Sequence, residues 1–256
     1  MYTLDPDTYS SIVQLLPIDT INNLRVTASG NSQQLSALRN TDNFWKLRLE
    51  KFLDIQITRN PAPETWYQVY TKITSGDLNL SQKLIKFAQA GDLPVVRLLL
   101  DAGADATAQK NLALRWASQN GYLQVVQVLL KAGANVTAEN NLALELASAY
   151  GHTQVVQVLL EAGADVTGND NAALRWGSDI GHFQVVQLLL DAGADVTANN
   201  NAALRVASAN GHFLVVRLLL NAEANATANN NQALRLASKN GHSQVVQLLL
   251  QAGATL

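Results

Sequence analysis

Residues 181 to 197 read Gly-His-Phe-Gln-Val-Val-Gln-Leu-Leu-Leu-Asp-Ala-Gly-Ala-Asp-Val-Thr, and closely similar phrases open at Gly121, Gly151, Gly211 and Gly241, spaced by 30 residues. A chain that returns to itself at a fixed period of roughly 20 to 50 residues is built from stacked supersecondary units. Each unit buries its apolar side only against its neighbours, and such solenoids work through extended surfaces rather than catalytic pockets.

Working outward from that phrase, one full unit reads as two helices and a turn. Asn171 to Gly181 has the marks of a short helix: Asn171 is a residue type favoured at an N-cap, Ala172, Ala173 and Leu174 are good helix formers, and Gly181 can take the left-handed conformation that stops it. His182 to Asp191 follows at once. Val185, Val186, Leu188, Leu189 and Leu190 give it a broad apolar face, Gln184 and Gln187 stay polar, and Gly193 closes it. The segment from Ala194 then turns the chain into the next unit, so the predicted fold class is all-α.

Two short antiparallel helices and a turn, stacked repeatedly with Gly-His, Val-Val, Leu-Leu-Leu and Ala-Gly-Ala-Asp phrases, resemble the ankyrin repeat. The resemblance implies an ankyrin-repeat solenoid of six helix-pair repeats, at 81–110, 111–140, 141–170, 171–200, 201–230 and 231–256, the last without its finger. Where that family usually has Thr-Pro-Leu-His, this chain has Leu-Ala-Leu-Arg at 112–115 and Ala-Ala-Leu-Arg at 172–175 and 202–205. The unit is also shorter than the family's usual repeat of about 33 residues. The shortening falls between the second helix and the next first helix, which predicts stubby fingers. This variant, with Ala-Leu-Arg-Trp-Ala-Ser at 113–118, is similar to ankyrin arrays encoded by giant DNA viruses of amoebae.

The period also absorbs most residues that could suggest chemistry. His152, His182, His212 and His242 share one slot, too far apart in stacked units to meet at one zinc with ligand distances of about 2.0 Å. Arg115, Arg175, Arg205 and Arg235 form a second ladder, broken by Glu145, and are expected to bond carbonyls or amides of adjacent turns, with Glu145 paired to a flanking arginine. Trp116 and Trp176 share a slot with Leu146, Val206 and Leu236 and are expected in the core. No metal, cofactor or enzymatic activity is expected.

What remains variable is the pair before each repeat glycine. In ankyrin arrays this position faces the concave side, so the resemblance implies a partner-binding surface at Gln119, Asn120, Tyr150, Asp179, Ile180, Asn210, Lys239 and Asn240, with Tyr150 and Ile180 as its centre. Glu223 departs from the closing glycine of the other units and is expected to strain a left-handed cap.

Residues 1–78 have a different composition and read as a small helical N-terminal domain. Phe44, Trp45, Leu47, Leu49 and Phe52 alternate with Lys46, Arg48 and Lys51 as on an amphipathic helix. The Leu16-Pro17 start, Ile21 and the later Asp-Asn-Phe44-Trp45-Lys sequence resemble a divergent F-box. That resemblance implies docking on a Skp1-like adaptor of cullin ubiquitin ligases through Leu16, Pro17, Ile21, Phe44 and Trp45; the alternative is a domain that only caps the first repeat over Phe87.

Composition bounds the remaining classes. The chain has 256 residues, 48% apolar, with a formal net charge of −2. No apolar run approaches the roughly 20 residues of a membrane span. Acids and bases are interspersed along the chain, so no clustered Lys and Arg invite nucleic acid. There is no cysteine, and the first residues lack a basic segment followed by an apolar one, so a cytoplasmic, monomeric protein that binds a protein partner is expected. The sequons at Asn79, Asn135 and Asn225 read as chance products of composition and repeat.

Overall fold

A computed structural model describes residues 78–255, together with Lys46 and Ile73. Among the described residues there are twelve helices in six pairs: α1 (Leu80–Ala90) and α2 (Leu93–Asp101), α3 (Ala108–Gln119) and α4 (Leu123–Lys131), α5 (Ala138–Ala149) and α6 (Thr153–Glu161), α7 (Gly168–Ile180) and α8 (Phe183–Asp191), α9 (Ala198–Ala209) and α10 (Phe213–Asn221), α11 (Ala228–Lys239) and α12 (Ser243–Gln251). No strand occurs among them. The described residues fall into two compact units, one holding Lys83 and Pro94–Ala104, the other Leu84–Leu93 and the chain from Asp105 onward.

In the second unit, successive first helices pack on one another, as do successive second helices. The apolar positions explain this layering. Leu114, Leu144, Leu174, Leu204 and Leu234 in the first helices, and Leu129, Leu159, Leu189, Leu219 and Leu249 in the second, are all buried. Each such leucine removed from water contributes about 2 kcal/mol. Ala113, Ala117, Ala143, Ala147, Ala203 and Ala207 are buried beside them and let the first helices approach closely.

The glycine punctuation is as the sequence predicts. Gly181 ends α7 with φ 90° and Gly193 follows α8 with φ 91°. At the entry to each first helix, however, the structure corrects the N-cap reading of Asn171. Three consecutive residues take left-handed φ and ψ: Gln109, Lys110 and Asn111, then Glu139, Asn140 and Asn141, and likewise 169–171, 199–201 and 229–231. All but Gln109, Lys110 and Glu139 are Asn or Asp, the non-glycine residues that enter this region at least cost. The turn is the structural replacement for a longer finger.

Two bonded devices hold it. Asp105, Asn135, Asp165, Asp195 and Asn225 each accept, through Oδ1, both the backbone N–H and the hydroxyl of the threonine two residues on, at 2.7 to 3.0 Å. Asn111, Asn141, Asn171 and Asn201, buried at the end of the left-handed turn, accept through Oδ1 the backbone N–H of residues 135, 165, 195 and 225, in the turn that closes the same repeat, at 2.6 to 2.8 Å. Asn231 repeats the bond to the Thr255 N–H at 3.2 Å. A backbone donor that would otherwise be orphaned by the tight turn is satisfied in each repeat. Glu223 sits at φ 68°, the left-handed cap expected from the sequence; its counterparts Gly133 and Gly163 have open space where a Cβ would be, so the strain at this position lies in the backbone and not in crowding.

Candidate functional site

Beyond the left-handed turn each first helix follows the 3.6-residue period. In α7, Ala173, Leu174, Gly177 and Ser178 are buried, while Arg175, Trp176, Asp179 and Ile180 turn outward. The same four slots recur on α3, α5, α9 and α11 and make one face, and all of them turn outward except that of Glu145 on α5, which is buried.

The arginine slot is largely structural. Arg115, Arg205 and Arg235 donate from Nη2 to the carbonyls of Gln109, Asn199 and Asn229, six residues back, at 3.2, 3.1 and 3.4 Å. These are the carbonyls of the first residue in each left-handed turn, so the guanidinium closes the turn from outside. Arg205 also donates from Nη1 to Gln232 Oε1 at 2.8 Å. Arg175 differs: its guanidinium lies over the Trp176 ring, 4.7 Å from the centroid. Glu145 is buried, and its carboxylate accepts from Asn169 Nδ2 at 2.9 Å instead of pairing with a flanking arginine as expected.

The tryptophan slot also corrects the sequence reading. Trp176 is 38% exposed and Trp116 is half-buried, so both belong to the face and not to the core. Leucine and valine elsewhere in the slot suggested burial, but Leu146, Val206 and Leu236 are half-buried too. A helix edge that rests on apolar neighbours while keeping one side wet accepts either kind of residue.

The last slot separates two behaviours. Asn120, Asn210 and Asn240 donate from Nδ2 to the carbonyls of Gln89, Asp179 and Ala209 in the preceding repeat, at 3.2, 2.8 and 2.7 Å, and Asn210 reaches Asp179 Oδ1 as well. Tyr150 and Ile180 replace this bracket. Tyr150 is 56% exposed, its hydroxyl accepts from Gln119 Nε2 at 3.2 Å, and its ring lies parallel to that of His152. Ile180 is 51% exposed. Of the remaining sequence-derived positions, Lys239 is exposed and Gln119 and Asp179 are half-buried.

The histidine ladder lies just beneath. Nε2 of His152, His182, His212 and His242 meets the carbonyls of Gln119, Ala149, Asp179 and Ala209 at 2.8, 3.1, 2.8 and 2.9 Å. A carbonyl only accepts, so Nε2 carries the proton and donates. Each ring covers the preceding repeat glycine: a Cβ on Gly121 would stand 2.5 Å from His152 Nδ1. Among the described residues no group of three or more His, Asp or Glu could hold a metal ion.

No described helix is long and apolar enough to cross a membrane. The expected adaptor residues Leu16, Pro17, Ile21, Phe44 and Trp45 lie outside the described residues. No curated protein matches the chain. The family model described as "Ankyrin repeats (3 copies)" matches at residues 84–170, 137–200 and 172–256, a span that takes in both helix layers, the histidine ladder and the whole exposed face. The chain belongs to the ankyrin-repeat family.

Proposed function

We infer that the chain is a non-enzymatic interaction module that binds a protein partner on the exposed face of its first helices, through Gln119, Asn120, Tyr150, Asp179, Ile180, Asn210, Lys239 and Asn240. The observation that carries this reading is the pair Tyr150 and Ile180. Each is more than half exposed in a slot where asparagine otherwise braces the neighbouring repeat. Ile180 makes no bracketing hydrogen bond and Tyr150 keeps one, from Gln119, which leaves most of each side chain to be buried by a partner, where aromatic anchors often dominate binding energy. The test is partner capture by the intact chain against the Tyr150→Ala, Ile180→Ala double variant. Captured partners are expected to be lost while thermal melting is nearly unchanged; an unaltered set of partners refutes the assignment.

In the finer form of this function the first 78 residues recruit a Skp1-like adaptor through Leu16, Pro17, Ile21, Phe44 and Trp45, making the chain a substrate adaptor for a cullin ubiquitin ligase in a host cytoplasm. The support is the F-box resemblance and that of the 30-residue repeat to giant-virus arrays. A specific observation favours a second reading, in which the segment before the repeats serves as a structural cap. Ile73 is fully buried, and its carbonyl accepts from the buried Lys83 Nζ at 2.6 Å. Co-purification with a Skp1-like adaptor, lost on Leu16→Ala with Trp45→Ala, separates the two.

A further inference from the structure

Trp176 and Ile180 are four residues apart on α7 and are therefore neighbours on its outward face, and Tyr150 occupies the slot of Ile180 one repeat earlier. Together they expose one mixed aromatic and aliphatic patch, at 38%, 51% and 56%. Arg175 borders it. Among the described residues, Arg115, Arg205 and Arg235 give guanidinium N–H groups to the carbonyls of their own turns, whereas Arg175 donates no hydrogen bond and its Cζ lies over the Trp176 ring, 4.7 Å from the centroid. A guanidinium that meets an indole face and no carbonyl leaves its fork of N–H donors unspent, and that fork receives a carboxylate bidentately.

Charge is distributed to match. Past their left-handed turns, the first helices from α3 to α11 carry Arg115, Arg175, Arg205, Arg235 and Lys239 against Glu145 and Asp179, and both acids already accept from the amides of Asn169 and Asn210. This face is therefore positive in a chain whose net charge is −2, while Asp105, Asp165 and Asp195 sit in the connecting turns. The interspersed charges of the linear sequence become segregated in the fold. An acidic segment is drawn to the face and repelled from the turns.

We propose that Arg175, Trp176, Ile180 and Tyr150 form the docking site for an acidic peptide segment of the partner protein. One carboxylate pairs with Arg175, and an adjacent aromatic or branched aliphatic side chain packs on Trp176 and Ile180. This deepens the functional reading above and rests on the first-helix face being the docking face. A polynucleotide fits less well, because its affinity comes from many phosphates neutralised together and three of the four arginines here are already engaged.

The test is selection of a phage-displayed random-peptide library on the full-length chain, followed by titration of synthetic versions of the enriched peptides. Enriched peptides are expected to carry Asp or Glu beside an aromatic or branched aliphatic residue. Their affinity should fall at least about tenfold in Arg175→Gln and in Trp176→Ala, and stay unchanged in Arg217→Gln, which removes the same charge from the exposed Arg217 on α10. Circular dichroism melting confirms that each variant is folded. Selected peptides that lose binding on Tyr150→Ala with Ile180→Ala but ignore Arg175→Gln would leave the docking face standing and overturn the acidic ligand. Peptides indifferent to all four positions overturn both readings. Enrichment of no peptide, or tighter binding of a fluorescein-labelled single-stranded oligonucleotide than of any peptide, also overturns the proposal.

Discussion

The connecting turns and the outward face of the first helices come from the same 30-residue phrase, yet their side chains are used differently. In the turns, Asp195 grips Thr197, Asn171 grips the Asp195 N–H, and counterparts of both bonds recur from repeat to repeat. On the face, the slot of Arg175 holds carbonyl-bound arginines in three other repeats and the buried Glu145 in a fourth, and the slot of Tyr150 and Ile180 holds bracketing asparagines elsewhere. Variation is costly where a buried side chain satisfies the turn's backbone N–H, as Asn171 does, and is tolerated at the exposed slots, where Tyr150 and Ile180 stand in place of bracketing asparagines. The stack is thus specified on the turn side and left open on the face.

The largest effect should come from breaking the turn side. Asn171→Ala removes the acceptor for the Asp195 N–H and places alanine at φ 57°, so it should cost about 2 to 4 kcal/mol in urea unfolding, whereas Trp176→Ala on the face should cost under about 1. Equal costs would erase the distinction. A smaller effect of opposite sign is expected at Glu223, where φ 68° is imposed on a residue with a Cβ. Glu223→Gly should stabilise by roughly 1 kcal/mol, and a lowered melting temperature would refute the strain.

The smallest effect sharpens the comparison within the turns themselves. The Thr107, Thr167 and Thr197 side-chain hydroxyls, and then their backbone N–H groups, hold the carboxyls of Asp105, Asp165 and Asp195 below the usual aspartate range near 3.9. With the folded value depressed, their contribution is complete above the unfolded value and fades as pH falls through the folded one. Asn135 and Asn225 occupy the same slot and do not titrate. Below about pH 4, amide-exchange protection at Thr107, Thr167 and Thr197 should drop relative to Thr137 and Thr227; parallel loss in all five would show that the carboxylates are not responsible.

The helix pairs, their glycine stops and the structural role of the histidines were legible because each depends on periodicity and on local backbone preference. The left-handed turn was not. Asparagine is favoured both as an N-cap and at positive φ, and only the run at 199–201 or 229–231 hints at the second use. Trp176 was misplaced because leucine and valine share its slot, which says that the slot is apolar on one side and nothing about the other. The singular state of Arg175 is invisible in sequence, since Ala-Leu precedes its carbonyl-bound relatives Arg115, Arg205 and Arg235 as well. For the exposed face, the paired positions before each glycine were legible as variable, whereas their division into brackets and exposed anchors needed the neighbouring repeat in place.

The asparagine bond of the left-handed turn spans 24 residues and stays within one repeat, while the histidine bond spans 33 and the asparagine bracket 31, so none reaches beyond the adjacent repeat. A unit excised or duplicated whole therefore leaves donors and acceptors matched at the new junction. Unequal recombination between copies can lengthen or shorten such an array in one event and still yield a chain that folds, with new face residues delivered in register.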